Sequence, residues 1–342
     1  MQRAVQFQQV LGHGHQVADG FGITGDHLRI PLQNKQQLFY QPDDQTEQDC
    51  REAQKAILGN RGYQPIVHTM SSTSTKVRIG TLQKLKDDGC RIVMVTAYDY
   101  PTGRLADEAG VDAVLVGDSL GNTVLGYDGT IPVRLEDMVH HTAAVRRGVR
   151  RALLVADMPF MTYKVTAEDA LRNAARLVQE GGAEAVKVEG GREVAEAVRR
   201  ITGAGIPVMG HLGVLPQSVH ALSGYQVQGR ETDAARRLAE DALVLQEAGC
   251  FCVVLECLSC ELAERVTASL RVPTIGIGSG AGCGGQVLVV CDLLGLSFEK
   301  PARFVKEYAR IGKQITKAIR CFARDVREGA YPGPEHTYSD KC

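Results

Sequence analysis

The chain contains no tryptophan, and aromatic residues make up only 5% of it, so a large aromatic interface is not available to it. No uninterrupted apolar stretch approaches the ~20 residues that a membrane-spanning helix needs. Neither sign of charge prevails: 39 Lys and Arg stand against 40 Asp and Glu, which argues against a nucleic-acid footprint or an anionic membrane surface as partner. No secretory leader precedes the ten cysteines, so reduced thiols and a cytoplasmic setting are expected. What is abundant is glycine, with 37 residues, in keeping with many tight turns between strands and helices.

A chain of 342 residues can form one large or two ordinary domains. Residues 1–69 differ from the rest: they are rich in Gln, hold four of the nine histidines and show no sustained periodicity. Asp43, Asp44, Glu47, Asp49 and Glu52 do not suit a transit peptide, which is poor in acids. His13 and His15 resemble a metal pair, but in such a segment they read as incidental. Met70, followed by SSTSTK, reads as an ordinary start, so residues 1–69 are expected to be a disordered or mis-assigned extension and 70–342 a single catalytic domain.

From Thr81 onward the pattern is regular. Thr81 is placed at a helix N-cap, with Leu82 and Leu85 on one face. Strands are expected at 91–99, 112–118, 152–157, 185–189, 206–211, 251–256, 273–277 and 286–291, and helices at 167–180, 192–202, 233–248, 260–270 and 302–327. Gly110, Gly181 and Gly249 fit helix C-cap positions, and the last helix is expected outside the domain or in a subunit contact. Eight β/α alternations over ~250 residues predict an α/β fold of the (β/α)8 TIM-barrel type. A doubly wound sheet is the alternative, but its phosphate-binding glycines belong after the first strand, where this chain reads AYDYPTG. GIGSGAG, at 276–282, comes too late for that role and reads as a tight turn after the seventh strand.

Several strand-like runs end in residues that a buried strand has no structural use for, because an unpaired buried charge is costly. They close on Asp99, Asp118, Asp157, Glu189 and Glu256, with His211 ending PVMGHLG between the last two. In a parallel barrel all strand C-termini open on one face, where such folds keep their chemistry. Asp118, Asp157 and Glu189 make a hard oxygen-ligand set suited to Mg²⁺, some of them acting through water. Lys187 lies two residues before Glu189, hence on the same face, and can bind a substrate carboxylate; Ser119 adjoins Asp118. Glu256, on the far side of the ring, suits a general base. Each acid alone could instead belong to a structural ion-pair network, and His211 alone could be a satisfied core histidine. Asp99 reads as a helix N-cap, while Tyr98 could be a ligand or a support. Cys250, Cys252, Cys257 and Cys260 mimic a zinc pattern, but alternation along a strand turns Cys252 and Cys257 to opposite faces, and they read better as small buried hydrophobes.

The stretches TAYDYPTGRLADEAGVDAVLVGDSLGNTVLGYDGTIPV, HHTAAVRRG, LLVADMPFMTY, VKVEGG, GHLGVLPQSV, GYQVQGR, VLECL and GIGSGAGCGGQVLV closely resemble the 3-methyl-2-oxobutanoate (ketopantoate) hydroxymethyltransferase family, from Thr81 to the YPGPEHTY near the end. The resemblance implies a barrel of the phosphoenolpyruvate/pyruvate type and transfer of a hydroxymethyl unit from 5,10-methylenetetrahydrofolate to 3-methyl-2-oxobutanoate in pantothenate biosynthesis. It implies Mg²⁺ at Asp118, Asp157 and Glu189, and oxo-acid contacts at Asp118, Ser119, Asp157 and Lys187. It also implies a proton acceptor at Glu256, an active-site histidine at His211 and a homo-oligomer, a homodecamer in bacterial members.

Ser279, Gly284 and Cys291 stand where members commonly have Ala, Asp and His, and Leu215 where Thr is frequent; none replaces a metal or base residue. Residues 1–69 have no counterpart in the family. An isocitrate-lyase-like carbon–carbon lyase is the enzymatic rival, but its K-[KR]-C-G-H-like loop is absent, the segment after the third strand reading FMTYKVTAED. A degenerate barrel kept as a scaffold is the non-enzymatic one.

Overall fold

The computed structural model describes residues 75–338, apart from 221–227 and 230, so the expectations for residues 1–69 lie outside the described residues. Eight parallel strands close into one barrel in chain order: β1 (Ile92–Thr96), β2 (Ala113–Val116), β3 (Leu153–Asp157), β4 (Ala185–Glu189), β5 (Val208–Gly213), β6 (Cys252–Glu256), β7 (Thr274–Ile277) and β8 (Gly285–Leu288). The ring shuts where β8 pairs with β1, Ile92 lying opposite Gly285. The doubly wound alternative is thereby excluded. Strands buried on both faces read as continuous apolar runs, as LLVAD and AVKVE do here.

Alternation along each strand divides the apolar residues into two cores. Met94, Leu115, Val155, Met209, Val254, Ile275 and Val287 fill the barrel interior together with Leu82. Val95, Val114, Leu154, Ala156, Val186, Val188, Val253 and Leu255 face outward to the helical shell. Two residues beyond an interior apolar position is another interior position. Asp157 thus follows Val155, Lys187 and Glu189 follow Ala185, His211 follows Met209, and Glu256 follows Val254. Strand alternation alone brings these side chains into one mouth.

The helical shell begins with α1 (Ile79–Asp87), α2 (Tyr100–Glu108), α3 (Leu120–Thr123), α4 (Leu135–Gly148) and α5 (Ala167–Gln179). It continues with α6 (Ala195–Gly203), α7 (Thr232–Glu247), α8 (Cys260–Ser269), α9 (Val290–Leu293) and α10 (Ile311–Arg327). Thr166 caps α5 by accepting from the Asp169 N–H at 3.0 Å, and Ala170, Ala174 and Leu177 bury one face at helical spacing. Asp99 caps α2 in the same way, accepting from Thr102 N at 2.8 Å. It lies beyond the end of β1 and outside the ring.

Four local expectations require correction. Thr81 is the third residue of its helix rather than the cap; Arg78 stands at the N-cap, and its N–H donates to the Thr81 hydroxyl at 3.1 Å. After α5 it is Gly182, at φ +74°, rather than Gly181 that takes the left-handed conformation, whereas Gly110 and Gly249 do so as expected. The segment 192–202 starts with a 3₁₀ turn, Arg192–Val194, before α6. The final helix begins at Ile311 instead of 302, because Tyr308 N and Ile311 N donate to the Leu293 and Leu294 carbonyls and hold the preceding chain against the end of α9.

One carboxylate ties α2 to the start of β3. Asp107 accepts from the backbone N–H groups of Arg150, Arg151 and Ala152 at 2.6–3.0 Å. Burial works against its charge, but these N–H donors outweigh burial and hold its pKa below the ordinary value. A group with a lowered folded pKa stabilises the fold above its unfolded value, about 4, and that contribution fades as pH falls through the folded value. Asp107→Asn is expected to cost about 2 kcal/mol at pH 7. Thermal melts of the two proteins should draw together as pH falls through the folded Asp107 value, and a gap that stays constant from pH 7 into the acid range would refute the assignment.

Candidate active site

Each of the three carboxylates near β2–β4 has one oxygen held by an N–H group. The chain turns after β2 through Gly117, and the Asp118 N–H donates to Asp157 Oδ2 at 3.0 Å. Asp118 Oδ2 accepts from Gln217 Nε2 at 2.8 Å, and Glu189 Oε2 accepts from Gln217 N at 3.1 Å. Asp118, Asp157 and Glu189 are all nearly inaccessible, at 3%, 2% and 1%.

The other oxygens of Asp157 and Glu189 meet basic side chains. Lys187 Nζ lies 2.9 Å from Asp157 Oδ1 across the β3–β4 pairing, an ion contact off hydrogen-bond alignment. His211 Nδ1 lies 3.4 Å from Glu189 Oε1, its partner in the β4–β5 register, and its Nε2 lies 3.2 Å from Glu256 Oε2. The expectation that Glu256 stands apart on the far side is therefore corrected: His211 links it to the acidic arc. Its side chain is 17% exposed against 2–3% for Asp157 and Glu189, so it is the carboxylate most open to the mouth. Backbone geometry brings it there. Gly213 adopts φ +105°, and a Cβ at that position would collide with the Glu256 carbonyl, which accepts from Val214 N at 2.9 Å.

Burial raises the Asp118 pKa well above the ordinary value, and the charges of Asp157 and Glu189 raise it further. Burial acts the same way on Glu189, but His211, Lys187 and the Gln217 N–H outweigh it and lower that pKa. Lys187 is buried, which opposes its charge, yet Asp157, Glu189 and Asp118 hold its pKa above the usual value. For His211, burial and the Lys187 ammonium disfavour protonation, whereas Glu189 and Glu256 overcome both and bring the pKa up to about 9. The cluster sets four carboxyl side chains against one lysine and one histidine, an excess of acidic groups over basic ones.

That excess fits a divalent cation. Among the described residues no three His, Cys, Asp or Glu side chains form a ready-made metal cage. Mg²⁺ does not require one, since it binds through one or two carboxylates and completes its shell with water and substrate oxygens. Asp118 and Asp157 are adjacent, and Asp157 Oδ1 is a buried acceptor without a hydrogen bond, so these two fit as direct ligands. Glu189 has both oxygens engaged by His211 and Gln217, which suits contact through water. Ser119 lies beside this pair, its hydroxyl 2.8 Å from the buried Tyr98 hydroxyl.

Two participants were missed by sequence reasoning. Gln217 sits in the 3₁₀ turn Pro216–Ser218 after β5 and is 1% exposed. Tyr163, from the loop after β3, donates from its hydroxyl to Gln217 Oε1 at 2.7 Å and accepts from Glu189 N at 3.1 Å. Neither residue is charged, so nothing in composition singles them out. Among the cysteines, Cys250 and Cys252 are buried as expected of small hydrophobes, whereas Cys257 is half-buried and Cys260 exposed. Ser279 has a structural use: its hydroxyl accepts from Leu258 N at 3.0 Å and donates to Leu255 O at 2.8 Å, binding the turn after β7 to the end of β6. That turn is a tight one, Gly278 and Gly280 both having positive φ.

A family model described as ketopantoate hydroxymethyltransferase matches residues 76–334. The 3-methyl-2-oxobutanoate hydroxymethyltransferase of Syntrophus aciditrophicus (strain SB) is 51% identical over 267 residues, spanning 78% of this chain and 98% of that protein. The protein of the same name from Pelobacter propionicus (strain DSM 2379 / NBRC 103807 / OttBd1) is 50% identical over 270 residues, 79% of this chain and 100% of its own. Among solved structures, phosphonopyruvate hydrolase shares the fold at a TM-score of 0.51 and 15% identity, covering 78% of this chain and 92% of that one. A 2,3-dimethylmalate lyase of the PEP mutase/isocitrate lyase superfamily does so at 0.50 and 16%, covering 76% and 88%. These two likenesses bear on the fold alone. Agreement at half of all positions along nearly the full length of the hydroxymethyltransferases goes further, and the chain belongs to the ketopantoate hydroxymethyltransferase family.

Proposed function

We propose that the enzyme transfers the one-carbon unit of 5,10-methylenetetrahydrofolate to C3 of 3-methyl-2-oxobutanoate, giving 2-dehydropantoate for pantothenate biosynthesis. The observation that carries this reading is the junction of two parts: a buried acidic pair beside Lys187, and the mouth-facing Glu256 connected to it by His211. A reaction at the carbon next to a 2-oxo acid needs both, one to hold the acid and one to take the proton.

Lys187 is the group to hold the substrate carboxylate, with the Ser119 hydroxyl and the Asp118–Asp157 pair orienting the 2-oxo end. Asp118 and Asp157 would hold Mg²⁺ directly and Glu189 through water. Bound there, the cation would supply the positive charge that polarises the 2-oxo group and favours loss of the C3 proton. Glu256 takes that proton. The imidazolium of His211 holds the Glu256 carboxylate in place and balances charge between it and Glu189. Water adds to the methylene carbon of the folate and both of its C–N bonds break, freeing formaldehyde in the site and tetrahydrofolate with protons on N5 and N10; the C3 carbanion then bonds to the formaldehyde carbon, whose oxygen takes up a proton as the new hydroxyl.

A homo-oligomer in the cytoplasm, a homodecamer by family likeness, completes the reading. It is supported by α10, along which Ile315, Ile319, Phe322 and Val326 form an exposed apolar stripe. Among the described residues no helix is long and apolar enough to cross a membrane. Sedimentation velocity is expected to give a species larger than the 37.0 kDa chain, and a monomer at micromolar concentration would remove this part.

The chemistry is tested by deuterium exchange at C3 of 3-methyl-2-oxobutanoate with and without tetrahydrofolate. Chelation should abolish exchange and Mg²⁺ restore it. Glu256→Gln should still bind Mg²⁺ and the oxo acid but exchange about 10²–10⁴-fold more slowly. Normal exchange in that variant would remove Glu256 from its role. Cleavage of a hydroxy-tricarboxylate would indicate a lyase, and neither activity a scaffold.

A further inference from the structure

Gln217 joins two of the acids, its side-chain amide meeting Asp118 and its backbone N–H meeting Glu189. Its Nε2 donates to Asp118 Oδ2 at 2.8 Å and to the Met158 carbonyl at 3.0 Å. Its Oε1 accepts from the Tyr163 hydroxyl at 2.7 Å, and its backbone N–H donates to Glu189 Oε2 at 3.1 Å. The Tyr163 contact fixes the amide orientation: with Oε1 facing the hydroxyl, both Nε2 protons point to acceptors. Burial holds the Tyr163 hydroxyl well above its ordinary pKa, so it remains a donor.

We propose that Gln217 is a positioning residue for the cation site, its amide clamping one oxygen of Asp118 and its backbone N–H one oxygen of Glu189, which orders these acids around the space beside Asp157. This rests on the reading of that space as the Mg²⁺ and oxo-acid site. The chemical reason for an amide is its neutrality. A lysine or arginine here would fill the donor role but add a positive charge that competes with the cation. An amide donates to a carboxylate and favours its ionised form without cancelling the field that draws a divalent ion. The clamp also comes from outside the strands, in the turn Pro216–Ser218, so docking of that turn on the mouth and ordering of the acids are one event.

Mn²⁺ binding followed by electron paramagnetic resonance tests this without relying on turnover. Gln217→Met keeps the length and bulk of the side chain and removes its amide. Outer-shell losses typically weaken metal binding about 10–100-fold, and that range is expected for the folded variant. Exchange of the C3 proton at saturating metal should recover toward the wild-type rate, since the base is untouched; a purely structural role would lower the melting temperature and leave the affinity of the folded fraction as it was. Tyr163→Phe, which removes the hydroxyl that orients the amide and meets the Glu189 backbone while leaving Gln217 itself intact, is the second variant and should weaken Mn²⁺ by about 10-fold. Wild-type affinity in both folded variants would overturn the proposal while leaving the functional reading intact. Absence of saturable Mn²⁺ binding by the wild-type protein would overturn both.

Discussion

Everything at the mouth depends on one geometric constraint, the two-residue alternation of strands closed into a parallel barrel. Inside the ring an apolar residue on one layer commits the residue two positions on to the same interior, whatever its charge. Asp157, Lys187, Glu189, His211 and Glu256 lie at interior positions near the C-terminal ends of four consecutive strands, and the cost of burying them is met only because the register sets unlike charges opposite or beside each other. The helices, caps and outer core keep the ring closed. The register of β3 to β6 decides who meets whom.

The resulting cluster is deliberately unbalanced in charge. Ion pairing accounts for Lys187 with Asp157 and for His211 with Glu189 and Glu256, while Asp118 receives only hydrogen bonds from neutral donors. Burial and acidic neighbours hold its pKa high, as expected where a counter-charge is missing from the protein itself. A structural ion-pair network would place a lysine or arginine there. The geometry instead divides the ring into an arc of buried acids around Lys187 and a more open carboxylate, Glu256, at the edge, whose connection to that arc runs through one imidazole.

Much of this was legible along the chain because it is local. Buried parallel strands must be apolar runs, so all eight were visible, and a charge at the end of such a run stands out against the cost of burying it. Asp99 could be set aside because it precedes a helix, where an acid serves as N-cap, and the structure has it accepting from Thr102 N. The errors have equally local causes. Thr81 can cap or occupy the third helical position with the same hydroxyl, and adjacent Gly181 and Gly182 leave the turn residue undecided. Residues 302–310 have helical composition, but their backbone N–H groups near Tyr308 are taken by α9. Gln217 and Tyr163 left no mark of their own, because a neutral polar residue in a turn costs nothing until it is buried.

Sequence alone settled the order of elements, the barrel class, the family resemblance and the identities of the charged strand ends, since each follows from spacings within one element or from ordered motifs. Tertiary structure alone decided which oxygen of each carboxylate is held and which is left, that His211 joins Glu256 to Glu189, and that an amide 99 residues from Asp118 orients it. Hydrogen bonds are directional over a few tenths of an ångström. Spacing along a chain brings residues to the same face, and only closure of the ring fixes atoms at that precision.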